Sequence, residues 1–415
     1  MNPLVGLDQP TRVAVSLSLQ LNHVDLDSIT SSILYAYLSS TPAPQSAGQH
    51  SVSGWPAIHI PILNIPSADI SIRPELLHLL PLADIEPAHL ITLDDLHLSP
   101  DTKPDKPPAL APSLTRWTLV DHNSLTGPSS SLYAARVCGC VDHHIDEAAV
   151  PHDAVPRIIT PCGSCTSLVL EHCRPAWDAL SSGGSGVEVE AGGQRTWSAQ
   201  IARLALASVL VDTNGLRDAA KTTHVDRAAV DYLEAKVKAA PSSDNMDMKE
   251  FLEDVMQAKG DMERLTVEDV LRKDFKVWTI GTGKLLGIAS VIKPLDWLAR
   301  RVEAEGRVTL NGAVEAFGRD RHAAVFVIMT AFSDDKGKFR RELLVKLVKS
   351  PIPDFWRQFI NTSCKQLSLE EVNDAAKATL LSPSHDTMRV WRQLDVEKSR
   401  KQVAPMLREM LIRML

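Results

Sequence analysis

The feature that most constrains this chain is an apolar run that ends abruptly in ionisable residues: Val137-Cys-Gly-Cys-Val141 leads directly into Asp142-His143-His144-Ile145-Asp146. A short continuous apolar run of this kind predicts a buried strand. In open α/β sheets, chemistry sits outside the carboxyl edge of the strands, which is where the two imidazoles and their flanking carboxylates would lie. Three more tips follow apolar segments in the same way: Asn22-His-Val-Asp25-Leu-Asp27-Ser28, Leu119-Val-Asp121-His122-Asn123 and Val209-Leu-Val-Asp212-Thr213-Asn214. Any one of them alone reads as a helix cap or a turn. Four tips ending in Asp or His instead make a cluster of hard oxygen and imidazole ligands, a set suited to Mg²⁺ or Mn²⁺.

A chain of 415 residues exceeds one ordinary core and predicts two domains. Residues 237–247, with Pro241-Ser-Ser-Asp-Asn245 at their centre, read as the linker between domains 1–236 and 248–415. Charge divides along the same line. Residues 1–230 carry 13 Lys+Arg against 23 Asp+Glu, and the remainder carries 31 against 28. An acidic half holding metal and a mildly basic half holding anions would give this balance, and so would solvated helix faces.

No apolar run approaches the ~20 residues of a membrane span, and Met1-Asn-Pro-Leu-Val-Gly-Leu-Asp8 has neither a basic nor an apolar leader region, so a cytoplasmic protein is expected. The acidic balance and low aromatic content argue against nucleic-acid binding. Nothing marks an obligate protein partner. Cys162-Gly-Ser-Cys165 is formally a CxxC pair, but no second pair stands at zinc-site spacing, and the six cysteines read as reduced, mostly buried thiols. Gly281-Thr-Gly-Lys284 is not a P-loop, because Trp278 stands where the first glycine is needed and Leu285 where a hydroxyl is needed.

The periodicities predict an α/β chain with a mainly parallel sheet flanked by helices in the first domain and a smaller mixed-sheet second domain. Strands are expected at Val13–Leu19, Ala57–Leu63, Arg116–Val120, Val137–Val141 and Arg157–Thr160. Helices are expected from Ile29, capped by Ser28, and over Thr196–Leu210. Gly163-Ser-Cys-Thr-Ser167 opens another helix; its N–H groups could hold a phosphate oxygen or be capped in the ordinary way. In the second domain, Met248–Ala258 reads as helix, and Leu285–Lys293, Ala323–Met329 and Glu342–Leu347 read as strands. Ser399-Arg400-Lys401-Gln402-Val403-Ala404-Pro405 opens the terminal helix.

The four acidic tips, in this order and including Asp142-His143-His144, resemble the motifs of the DHH phosphoesterase family, with a DHH-associated C-terminal domain following. Within it, the chain is similar to the exopolyphosphatases and the family II inorganic pyrophosphatases. The resemblance implies hydrolysis of terminal phosphoanhydride bonds of linear polyphosphate, releasing orthophosphate by attack of water activated between two or more divalent ions. Asp25, Asp27, Asp121, His143 and Asp212 would hold Mg²⁺ or Mn²⁺, with Asp121 bridging. His144 would face the phosphate as a proton donor or hydrogen-bonding group, and Asp142 would orient an imidazole. Arg400 and Lys401, in a stretch that looks like the substrate-binding signature, would grip phosphoryl groups, with Lys293, Arg340 and Arg341 as further cations.

Two details favour the exopolyphosphatase branch. The pyrophosphatase pattern has a histidine four residues before the first Asp, where Leu21 stands; exopolyphosphatases carry asparagine there, which Asn22 matches after a one-residue deletion, with His23 as the rival ligand. The stretch Ile65-Pro-Ser-Ala-Asp-Ile-Ser-Ile-Arg-Pro-Glu75 also resembles that branch. The other readings are a soluble inorganic pyrophosphatase, a phosphodiesterase of short nucleotides, and an inactive scaffold, against which the intact acidic and histidine set argues.

Overall fold

In the computed structural model, the described residues are 11–16, 25–40, 59–98, 107–181, 191–240, 246–281, 283–306, 309–348, 352–372 and 386–414. Asn22, His23 and parts of the expected strands Val13–Leu19 and Ala57–Leu63 and of the 237–247 linker lie outside them. The chain divides into two compact units, Met1–Asp261 and Met262–Leu415. No helix among the described residues is long and apolar enough to cross a membrane.

The first unit is built on a wholly parallel five-stranded sheet. Its strands are β1 (Thr11–Ser16), β2 (His59–Leu63), β3 (Thr115–Val120), β4 (Val137–Asp142) and β5 (Arg157–Ile159), in the order β2-β1-β3-β4-β5. Both faces of the sheet are covered, which is why its central strands are apolar throughout rather than alternating. Successive side chains point to opposite faces. Val120 and Val141 accordingly enter a helix-covered core, while Leu119 and Cys140 enter a second core under irregular segments. Trp117 and Tyr133 stack at the centre of the second core, with ring centroids 4.2 Å apart.

The helix-covered core is lined by α1 (Leu26–Ser40), α2 (Cys165–Ser181), α3 (Ala191–Asp212), α4 (His224–Lys238) and α5 (Met248–Gly260). Two helices differ from expectation. Helix α1 starts at Leu26, because Asp25 and not Ser28 closes its first turn: the Asp25 carboxylate accepts the Ser28 N–H at 3.1 Å and its carbonyl accepts Ile29 N–H. Helix α5, read from sequence as the start of the second domain, buries Phe251, Leu252 and Val255 in the first unit's core.

The second unit contains α6 (Val267–Lys273), β6 (Phe275–Ile280), β7 (Lys284–Val291), α7 (Leu295–Ala304), α8 (Leu310–Asp320), β8 (Ala323–Thr330), β9 (Phe332–Ser333), β10 (Phe339–Leu347), β11 (Leu369–Glu371), β12 (Met388–Gln393) and α9 (Arg400–Met414). The sheet is mixed, in the order β11-β12-β10-β8-β7-β6; β7 and β8 are parallel, the other pairs are antiparallel, and β9 pairs with β10. Val403, Leu407, Met410 and Leu411 of α9 pack on Val325, Val327 and Val345 of the sheet. Ser399 caps α9: its hydroxyl accepts Lys401 N–H at 3.3 Å, and the Gln402 side chain accepts Ser399 N–H at 3.0 Å. Strands β6 and β12 were not among the expected elements.

Candidate metal centre

The strand order reverses between β1 and β3, and at such a switch point the carboxyl ends of the strands open a crevice. Asp121 is the first residue beyond β3. Its N–H continues the ladder to the Val141 carbonyl at 2.9 Å, and its φ of 63° turns the chain at once into the left-handed region. Only Asn, Asp and Gly enter that region readily, so the position suits a short carboxylate. The side chain is 3% exposed. Oδ2 accepts the Ser28 hydroxyl, while Oδ1 is buried with no hydrogen-bond partner. His143 Nε2 lies 3.2 Å from Oδ1 and His144 Nδ1 lies 3.9 Å from it. Ligand atoms of Asp121, His143 and His144 all fall within 4.8 Å of one another, close enough to share an ion.

Strand β4 presents the two histidines with different partners. His143 Nδ1 lies 3.1 Å from the Cys162 carbonyl, which can only accept, so Nδ1 carries the proton and Nε2 is the atom turned to Asp121. His144 Nδ1 donates to Asp142 Oδ1 at 2.8 Å, and Asp142 Oδ2 accepts Asn123 Nδ2 at 2.5 Å. The imidazole that Asp142 orients is thus that of His144. Asn123 also donates to the Ile145 carbonyl and accepts Glu147 N–H, which fastens the loop after the histidines. His122 stacks on His144, with centroids 5.4 Å apart.

Asp27 is buried, 2% exposed, and is placed by the N-terminus of α2. Its Oδ1 accepts Thr166 N–H and the hydroxyls of Ser164, Thr166 and Ser208, and its Oδ2 accepts Cys165 N–H at 2.7 Å. The preceding N–H groups, of Gly163 and Ser164, donate to Asp226. The helix start that could have held a phosphate therefore spends these donors on two protein carboxylates. Asp25 is exposed at the head of α1, and Asp212 ends α3, half-buried.

The electrostatics show an excess of carboxylate at this edge. Burial, then the neighbouring charge of Asp27, pushes the Asp121 carboxyl up to about 7 against the pull of His143. Burial, with Asp27, Asp25 and Asp121 nearby, pushes Asp212 well above the carboxylate range. Burial alone would depress His143, but the Asp121 carboxylate 3.2 Å away and the charges of Asp27 and Asp142 raise it to about 10. A buried carboxylate oxygen without a hydrogen-bond partner, flanked by imidazole nitrogens and further carboxylates, fits a divalent ion in donor type and in charge.

The expected cations meet at one end of the second sheet. Because β7 and β8 are parallel and β10 and β12 alternate in direction, the end of β7, the start of β10 and the segment leading from β12 into α9 share one edge. Lys293 follows β7 and lies 5.9 Å from the Trp297 ring centroid. Arg400 makes two contacts to Asp274, to Oδ1 at 2.6 Å and to its carbonyl at 2.9 Å. Arg340 pairs with Asp334 at 2.8 Å, and Arg341 donates to the Val396 carbonyl. Lys401 is exposed in the first turn of α9.

Sequence reasoning singled out neither Asn123 nor Asp226 as a site residue. The signal for Asp226 was Thr223-x-x-Asp226, a capping-box spacing at the head of α4.

Residues 253–410 match the DHHA2 domain. The chain is similar to a putative exopolyphosphatase of Schizosaccharomyces pombe, 28% identical over 383 residues that span 92% of this chain and 87% of that protein. It is also similar to the exopolyphosphatase PRUNE1 of Homo sapiens, 24% identical over 396 residues covering 93% of this chain and 73% of that protein, and to that of Mus musculus, 25% identical over 392 residues with the same coverage.

Proposed function

For a chain that carries a DHHA2 domain and resembles exopolyphosphatases over nearly its whole length, we propose a metal-dependent exopolyphosphatase that releases orthophosphate from the end of linear polyphosphate in the cytoplasm. The observation that carries this reading is the buried Oδ1 of Asp121, left without a hydrogen-bond partner between His143 and His144. Asp121, His143, Asp25, Asp27 and Asp212 would hold two or more divalent ions, Mg²⁺ or Mn²⁺. When bound, such ions neutralise phosphoryl oxygens and lower the pKa of water.

The chain's own residues do the rest. The Cys162 carbonyl keeps the proton of His143 on Nδ1, leaving Nε2 for ligation. Asp142 holds His144 by Nδ1, and a hydrogen bond from Asn123 holds Asp142 in turn. Burial lowers the proton affinity of His144, but the Asp142 hydrogen bond and the charges of Asp121 and Asp142 raise it overall, which suits His144 as a proton donor to a leaving phosphate oxygen. Arg400, Lys401 and Lys293 would bind phosphoryl groups, and Arg400 would exchange Asp274 for substrate.

The test is orthophosphate release from long polyphosphate, tripolyphosphate and pyrophosphate, compared with Mg²⁺, with Mn²⁺ and after chelation. Metal-dependent release that is fastest on long polyphosphate is expected. Release from pyrophosphate alone would give the chain the shorter substrate, and no release from any of the three would overturn the reading.

A further inference from the structure

Asp226 lies outside the four acidic tips, and its side chain is fully buried, 0% exposed. Locally it completes the cap of α4: Oδ2 accepts Thr223 N–H at 2.7 Å and the Thr223 hydroxyl at 2.8 Å. A cap needs no more than that. Yet the same carboxylate takes four further donors from a loop some sixty residues earlier. Oδ2 accepts Gly163 N–H at 3.0 Å, while Oδ1 accepts Ser164 N–H at 3.1 Å, the Ser167 hydroxyl at 2.8 Å and the Cys162 thiol at 3.2 Å. The fit is close. A Cβ on Gly163 would stand 2.7 Å from Asp226 Oδ2 and 2.7 Å from Thr213 Cγ2, so only glycine lets the loop approach.

This gripped loop does two things at the metal centre. The Cys162 carbonyl, next to the gripped Gly163 N–H, holds His143 Nδ1 at 3.1 Å and so decides which ring nitrogen faces Asp121. The following N–H groups, of Cys165 and Thr166, hold the Asp27 carboxylate at 2.7 and 3.0 Å. One turn of backbone is clamped between two buried carboxylates, of which Asp27 faces the centre and Asp226 lies behind it.

We infer that Asp226 is a positioning residue of the metal centre: through the Cys162–Ser164 backbone it fixes the carbonyl that selects the ligating nitrogen of His143. It touches neither ion nor substrate. The inference rests on the reading above only in taking His143 as a ligand.

The test is Mn²⁺ binding by titration calorimetry on the full chain, with folding checked by circular dichroism. Asp226→Asn replaces one acceptor oxygen with an amide that faces N–H donors, and should weaken Mn²⁺ binding about 10- to 100-fold, the range seen when partners behind a ligand are lost. Thr223→Val, nearly isosteric, loosens the same carboxylate and should weaken binding by about threefold or more, and it serves if Asp226→Asn does not fold. In a His143→Ala background, either substitution should cost clearly less than it does alone, because its effect through His143 is already lost.

A folded variant with unchanged Mn²⁺ affinity, or full additivity with His143→Ala, overturns the positioning role. If His143→Ala itself leaves Mn²⁺ binding unchanged, the assignment of His143 as ligand fails, and the inference with it. The two failures are therefore distinguishable.

Discussion

The two units handle charge in opposite ways. At the carboxyl edge of the first sheet, Asp27, Asp121 and Asp212 crowd together, and burial and their mutual repulsion make Asp121 and Asp212 resist ionisation against the pull of His143 on the one and Lys259 on the other. At the rim of the second sheet, Arg400 and Arg340 already pair with Asp274 and Asp334. The acidic edge is a site under electrostatic stress that a dication would relieve. The two arginines of the basic rim are paired within their own unit, and an anion would compete for them. Binding is expected to stabilise the first unit strongly, and to exchange partners in the second at little net cost.

The sharpest way to break this contrast is Asp121→Asn. Turnover should fall at least 100-fold, since a neutral amide is a poor ligand shared between cations. The metal-free protein should become more stable. The folded-state pKa of Asp121, about 7, lies above the ~3.9 of an unfolded chain, so the ionised carboxylate costs stability that accumulates from about pH 4 and is fully present above pH 7. Removing it should raise the metal-free melting temperature at pH 7.5 by about 2–4 °C per kcal/mol relieved, with no gain at pH 4. A lower melting temperature at pH 7.5 would show that Asp121 is not under stress.

At the basic rim, Arg400→Ala should lower kcat/KM on polyphosphate about 10- to 150-fold, the effect of one charge-assisted contact of ~1.5–3 kcal/mol, while Mn²⁺ affinity stays unchanged. Lysine at 400 should recover only part, because the planar fork is lost. An unchanged kcat/KM at low salt would leave Arg400 as a structural partner of Asp274.

His143 and His144 are sequence neighbours with different hydrogen-bond partners, and their variants should separate. His143→Ala should weaken Mn²⁺ binding about 10- to 100-fold, whereas His144→Ala should chiefly lower kcat at saturating metal. Identical metal titrations would sink the division.

Mn²⁺ affinity should itself rise with pH. His143 holds a proton up to about 10 and Asp121 up to about 7, so each proton displaced by the ion strengthens binding roughly tenfold per pH unit. Between pH 6 and 8 at least one proton is displaced throughout, and a flat titration over that range would contradict the pairing of His143 with Asp121. The smallest effect belongs to Arg340→Ala. An exposed pair such as Arg340–Asp334 is worth ~0–1 kcal/mol, so stability and kcat/KM should stay within about fivefold of wild type.

By itself the sequence determined which residues are ionisable at the ends of apolar runs, and hence the α/β class and the acidic and histidine tips. It could do so because burial on both sheet faces demands unbroken apolar runs, such as Val137–Val141, and because hydrophobic periodicity is a local property. Partnership is not local. That Asp142 serves His144 and the Cys162 carbonyl serves His143 depends on where β4 and the loop before α2 come together. Asp226 looks in sequence like an ordinary helix cap, and only packing aims it at a loop some sixty residues away. Arg400 and Lys401 stand out in sequence as free cations, whereas the fold gives Arg400 the Asp274 carboxylate, 126 residues distant. Helix α5 reads as the opening of the second domain until Phe251, Leu252 and Val255 find the first unit's core. In each case the pattern along the chain set the chemistry available, and the tertiary structure decided which donor meets which acceptor, because hydrogen bonds and ion pairs form between groups close in space and carry no mark in the sequence.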